Sequence, residues 1–113
     1  MIIRSGFNVY PAEVEAVLSS HKDVVQSAVV GRAADGNEEI VAFVQLLPGS
    51  CTTPETLMHF VRSQLTSYKR PSEIVILDAL PATSTGKILK HKLAESLRGE
   101  GGKTPRAQTA ELR

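Results

Sequence analysis

Apolar positions in this chain change their period several times, and each change marks an element. Val14, Val17 and Leu18 recur at i, i+3 and i+4, which predicts a helix from Pro11 to about His21 with one apolar face. Pro11 suits the first helical position, where a missing N–H would be unpaired anyway. Glu13 and Glu15 then fall in the first turn, where the helix dipole favours negative charge. Val24 to Val30 and Ile40 to Leu47 are aliphatic, β-branched runs of strand length. Ala33-Ala34-Asp35-Gly36-Asn37 between them has turn chemistry, so an antiparallel hairpin is the simplest connection. The second run is apolar at successive positions, which predicts a central strand covered on both faces. Pro48-Gly49-Ser50 ends it.

A second helix is expected from Pro54 to Leu65, with Thr52 or Thr53 as N-cap and Leu57, Phe60, Val61 and Leu65 as its buried stripe. Ile74 to Leu77 reads as a third short strand. Pro81 to Gly86 is a loop by composition, and a third helix should begin near Lys87 or Ile88, with Leu89, Leu93 and Leu97 spaced along it. Ile2 to Tyr10 looks like two short extended pieces hinged at Gly6. Gly99 to Arg113 mixes Gly, Pro and polar residues with little to bury, and reads as a disordered tail. The expected fold is therefore α+β: a small three-stranded sheet flanked by three helices, plus an N-terminal two-stranded β segment, all within residues 1–98.

A length of 113 residues suits one such domain and is small for a complete two-substrate enzyme. A formal net charge of +1 gives no reason to expect a nucleic acid partner. Lys87, Lys90, His91, Lys92 and Arg98 read as a solvated helix face interrupted by Glu95. Cys51, the one cysteine, cannot form an internal disulfide, which fits a reducing cytoplasm. The N-terminus does not look like a signal peptide, and no run approaches the roughly 20 apolar residues of a membrane span. His21, His59 and His91 are scattered singly, so no metal site is expected. No glycine-rich phosphate loop of the usual spacing occurs.

Two features carry candidate chemistry. Lys87 follows Gly86 in a Ser/Thr-rich loop, where a mobile ammonium could meet phosphate and carboxylate oxygens. Taken alone, its plainer reading is a surface lysine beside a helix-entry glycine. Ser67-Tyr68-Lys69-Arg70-Pro71 sets an aromatic ring beside two cations, a combination able to stack on a base and meet phosphates. Its plainer reading is a helix C-terminus whose cations complement the dipole.

Three segments taken together change that balance. "SGFNVYPAEVE" (5–15), "AVVGRAADGNEEIVAFVQ" (28–45) and "LTSYKRPSEIVILDALPATSTGKILKHKL" (65–93) resemble the C-terminal domain of the adenylate-forming, AMP-binding acyl-CoA synthetases. That superfamily also includes firefly luciferase and the adenylation domains of peptide synthetases. Any one motif could arise by chance, whereas three in order are specific.

The resemblance implies an ATP-dependent acid–thiol ligase working in two steps, with ATP, Mg²⁺ and coenzyme A. The carboxylate attacks the α-phosphorus of ATP and expels pyrophosphate; the coenzyme A thiol then displaces AMP. A large N-terminal domain would hold ATP, Mg²⁺ and the acid (fatty or aryl acids are favoured), and this domain would be inactive without it. Lys87 matches the family's adenylation lysine. Gly6 and Phe7 match the strand-turn lining the pantetheine tunnel, although relatives often carry two glycines where this chain has Gly6-Phe7. Tyr68 and Arg70 match positions that in some relatives touch the coenzyme A nucleotide, and Glu13 matches a structural acid. The family's hinge would lie just upstream of Met1, so the chain reads as an excised or fragment domain. A lysine acetyltransferase is an implied partner, since bacterial relatives are often silenced at the lysine equivalent to Lys87. Two alternatives stay open: a non-catalytic interaction module of the same fold, and a fragment of a peptide-synthetase adenylation domain.

Overall fold

In a computed structural model the described residues are 2–4, 6–34, 37–98 and 108–111. The order is β1 (Ile2–Arg4), β2 (Phe7–Val9), α1 (Pro11–Ser19), β3 (Val24–Ala34), β4 (Asn37–Leu46), α2 (Pro54–Arg62), a 3-10 turn (Ser67–Lys69), β5 (Glu73–Leu77), α3 (Lys90–Arg98) and β6 (Gln108–Glu111). The α+β class and the separate β1–β2 hairpin are as expected.

The main sheet has strand order β3-β4-β5-β6. β3 and β4 pair antiparallel over their full length, from Val24↔Leu46 to Ala34↔Asn37. They run further than their apolar runs because Arg32 and Glu39 pair across the strands, and Arg32 also reaches Glu73 of β5, each at 2.7 Å. A charged strand end is thus built into the sheet by ion pairing, which the apolar pattern could not reveal. β5 lies parallel to β4, with α2 in the connection, so the sheet is mixed.

β4 divides the core. Ile40, Ala42 and Val44 face one layer, with Val14 and Leu18 of α1, Leu57, Met58 and Val61 of α2, and Ile2 and Val9 of the hairpin. Val41 and Phe43 face the opposite layer, with Leu80, Leu93 and, less deeply, Ile88 and Leu97. Successive residues of a strand point to opposite faces, so burial of Ile40 through Val44 without a gap is the signature of a strand covered on both sides.

Several boundaries differ from expectation. α1 stops at Ser19 and α2 at Arg62, each tightening into a turn. Thr53 is the N-cap of α2, its hydroxyl accepting from the Thr56 N–H at 3.2 Å. Met58 replaces Phe60 in the fully buried stripe. α3 begins at Lys90, later than Lys87 or Ile88, because Ile88 pairs with Ala82 in an isolated antiparallel bridge and Leu89 N–H bonds the Pro81 carbonyl. Leu89 therefore precedes the helix. Gln108–Glu111 forms a strand against β5, correcting the expectation of an unstructured tail for those residues; the rest of 99–113 lies outside the described residues. Pairing by backbone hydrogen bonds needs no apolar side chains, so composition was silent about it.

Candidate functional site

Lys87 sits at the end of a compact loop. The Thr83 N–H bonds the Lys87 carbonyl at 2.8 Å, the Gly86 N–H bonds the Thr83 carbonyl at 2.9 Å, and the Lys87 N–H bonds the Thr83 hydroxyl at 3.1 Å. Gly86 closes the turn with φ +93°, a left-handed conformation that glycine adopts without a Cβ penalty. Ile88 then packs on the core layer shared with Leu80 and Leu93. The loop is thereby pinned at both ends while the Lys87 side chain is exposed. Among the described residues no carboxylate lies within ion-pairing distance of its ammonium, although Lys69 and Lys90 each have one and Arg32 has two.

The second group assembles on the other face of the sheet. β1 and β2 pair Ile2↔Val9, Ile3↔Asn8 and Arg4↔Phe7, turning at Gly6 with φ +81°. Ile2 and Val9 anchor the hairpin in the α1/α2 core layer. Phe7, half exposed, stacks on Tyr68 with ring centroids 4.4 Å apart and planes 22° from parallel. Lys69 Nζ lies 5.7 Å from the Tyr68 ring centroid and pairs with Glu13 at 2.9 Å. The Glu13 hydrogen bond to Lys69 raises the lysine's pKa above its usual value, outweighing its desolvation.

Arg70 is used within the domain. Its Nε donates to the Leu65 carbonyl at 3.0 Å and its Nη2 to the Arg62 carbonyl at 3.1 Å, capping the end of α2. Its own carbonyl accepts from Arg4 Nη1 at 2.6 Å, tying the hairpin to the turn that carries Tyr68. Gly6, Phe7, Tyr68 and Arg70 thus form one continuous feature. Lys87 belongs to the opposite layer.

Sequence reasoning passed over Glu38 and set Glu15 in the first turn of α1, where only Glu13 lies; both acids hold these features. Glu38 Oε1 accepts from the Ile3 N–H at 2.9 Å, fastening β1 to the hairpin end of β4. Glu15 Oε2 accepts from the Val29 N–H at 2.8 Å and pairs with Lys90 Nζ at 2.6 Å. No local signal named this partner: Lys90 opens α3, where its charge opposes the helix dipole, but only the fold brings Glu15 to it.

Among the described residues no group of three or more His, Cys, Asp or Glu side chains is placed to hold a metal ion, so the donors present do not fit Mg²⁺. None of their helices is long and apolar enough to cross a membrane.

Residues 13–87 match the family model described as the AMP-binding enzyme C-terminal domain. The chain is 40% identical over 100 residues to a long-chain-fatty-acid–CoA ligase of Escherichia coli, covering 88% of this chain and 18% of that protein. It is 41% identical over 98 residues to the mitochondrial medium-chain acyl-CoA ligase of Rattus norvegicus, covering 86% of this chain and 16% of that protein. Among solved structures, ATP-bound MatB from Rhodopseudomonas palustris superposes with a TM-score of 0.82 at 31% identity, over 88% of this chain and 20% of that one. A fatty acyl CoA synthetase of Mycobacterium tuberculosis gives 0.77 at 34% identity, over 84% of this chain and 19% of that one. The chain thus spans less than a fifth of the length of either curated relative.

Proposed function

The chain belongs to the AMP-binding enzyme C-terminal domain family, and on that premise we propose that it is the mobile lid of a cytoplasmic acyl-CoA synthetase, working against a large N-terminal domain. Its two faces serve the two half-reactions. In the first, a substrate carboxylate oxygen attacks the α-phosphorus of ATP and pyrophosphate leaves. Negative charge gathers on the reacting oxygens, and Lys87 supplies a cation to them without forming a covalent bond. In the second, the coenzyme A sulfur attacks the acyl carbon and AMP leaves. Gly6 and Phe7 then border the pantetheine path, Tyr68 offers a ring to the nucleotide, and Arg70 contributes by holding that ring and the hairpin together.

The observation that carries this reading is the separation of the two groups. An exposed ammonium without an anionic partner among the described residues stands on one side of the sheet, and a glycine turn backed by stacked aromatics stands on the other. A rigid domain so built cannot present both features to one active site at once. It must turn between steps. No step is assigned to Mg²⁺ on this chain. Fatty or aryl acids are the favoured substrates, and the long-chain-fatty-acid–CoA ligase among the relatives supports the former. Acetylation of Lys87 by a lysine acetyltransferase would remove the charge that the first step needs.

The test is Lys87→Ala in the full-length ligase that carries this domain. Carboxylate-dependent pyrophosphate exchange should fall by about 10²-fold or more, as for loss of one preorganised electrostatic group. Thioester formation from preformed acyl-AMP should change little. Equal loss in both half-reactions overturns the division between faces, and no loss in either overturns the role of Lys87.

A further inference from the structure

α1 packs in the core layer beneath the β1–β2 hairpin, whereas α3 and the Lys87 loop pack in the opposite layer. One carboxylate joins them around the edge of the sheet. β3 is an edge strand, and on its open side Val29 presents an N–H with no neighbouring strand to receive it. Glu15 Oε2 accepts that N–H at 2.8 Å and takes the Lys90 ammonium at 2.6 Å, while the Ser27 hydroxyl donates to the Glu15 backbone carbonyl at 3.3 Å. Glu15 is half-buried, its side chain 22% exposed, so the pair is partly shielded from water. Lys90 lies three residues beyond Lys87 and opens α3, where its charge opposes the helix dipole. Its presence there is accounted for by Glu15 alone among the described carboxylates.

We infer that Glu15 and Lys90 form a strut that positions the Lys87 loop against the body of the domain, making Glu15 a positioning residue for the adenylation half-reaction. The inference rests on Lys87 being the adenylation cation. The loop is closed by its own hydrogen bonds to Thr83, which set its shape but not its place on the domain. Its downstream end is held by Ile88 in the core layer and, beyond that, where Lys90 meets Glu15, which is fixed in turn by Val29 on the sheet. Loss of the strut leaves Lys87 charged and exposed but imprecisely delivered. A misplacement on the order of 1 Å at a reacting centre is enough to slow chemistry by an order of magnitude or more.

The experiment compares Glu15→Gln, Lys90→Met, the double variant and Lys90→Arg with Lys87→Ala in the full-length ligase, assaying each half-reaction separately. Lys90 is 45% exposed, so its substitution keeps the test usable should Glu15→Gln fold poorly. Each single variant should lower pyrophosphate exchange about tenfold with the KM for ATP unchanged, and the double variant no further, as expected for one coupled unit. Thioester formation from acyl-AMP should stay within about twofold, and Lys90→Arg should restore exchange. Amide hydrogen exchange across residues 81–90 should quicken in the single variants. If Lys87→Ala abolishes exchange while the strut variants leave it intact, this inference fails and the functional reading stands. If the strut variants slow both half-reactions alike, Glu15 is merely structural. If Lys87→Ala itself has no effect, the functional reading fails first.

Discussion

Replacing Gly6, Gly49 and Gly86 by alanine, one at a time, applies the same perturbation to three different loops. Their φ angles are +81°, +83° and +93°, and a Cβ built at any of them meets no heavy atom within 4 Å. Steric clash inside the domain is therefore excluded, and the cost is that of holding an L-residue in the left-handed region, about 1–2 kcal/mol each. For a domain of this size that corresponds to a fall in Tm of roughly 5–12 °C, similar for all three. Guanidinium and thermal denaturation of the chain check that equality. In the full-length ligase, well below these melting temperatures, the consequences should diverge. Gly86→Ala shifts the loop that carries Lys87 and should slow adenylation about tenfold while sparing thioester formation. Gly6→Ala narrows the proposed pantetheine path and should do the reverse. Gly49→Ala, in the β4–α2 connection, should do neither. The reasoning is refuted if Gly49→Ala slows chemistry as much as the others, or if Gly6→Ala and Gly86→Ala impair the same half-reaction.

Two further outcomes follow from the hydrogen bonds. Arg70→Lys cannot keep both donations to the Leu65 and Arg62 carbonyls, so it should cost about 1–2 kcal/mol in urea denaturation, and it should loosen amide protection at the end of α2. Unchanged stability would free Arg70 from its capping role. The Thr52 hydroxyl, 2.7 Å from Asp23 Oδ2, is the main cause holding the Asp23 carboxyl below the usual 3.8. A depressed folded-state pKa gives stability that is present above the unfolded value and lost as pH falls through the folded value. Thr52→Val should raise the Asp23 pKa, read by carboxyl ¹³C NMR, and lessen the loss of stability as pH falls below the usual 3.8. An Asp23 titration identical in both proteins refutes that account.

What the amino-acid sequence determined by itself is local. The run from Ile40 to Leu47 pointed to a strand covered on both faces, and Thr52 or Thr53 before Pro54 to a helix start; the fold bears out both, with Thr53 as the cap. The hinge at Gly6, the β3–β4 hairpin and the exposed loop before Lys87 were legible for the same reason: turn chemistry and side-chain period act over a few residues. Recognition of the three motifs then located the candidate site residues, but not their arrangement. Only the packing put Lys87 and the Gly6 hairpin on opposite layers, turned Arg70 inward to cap α2, delayed α3 to Lys90, and brought Gln108–Glu111 to the edge of β5. Each of these depends on a contact between segments far apart in the chain. Glu15 meets Lys90, and Arg32 meets Glu73, because the folded layers bring them together. A charged residue carries no mark of its partner in its own neighbourhood, so that choice belongs to the tertiary structure.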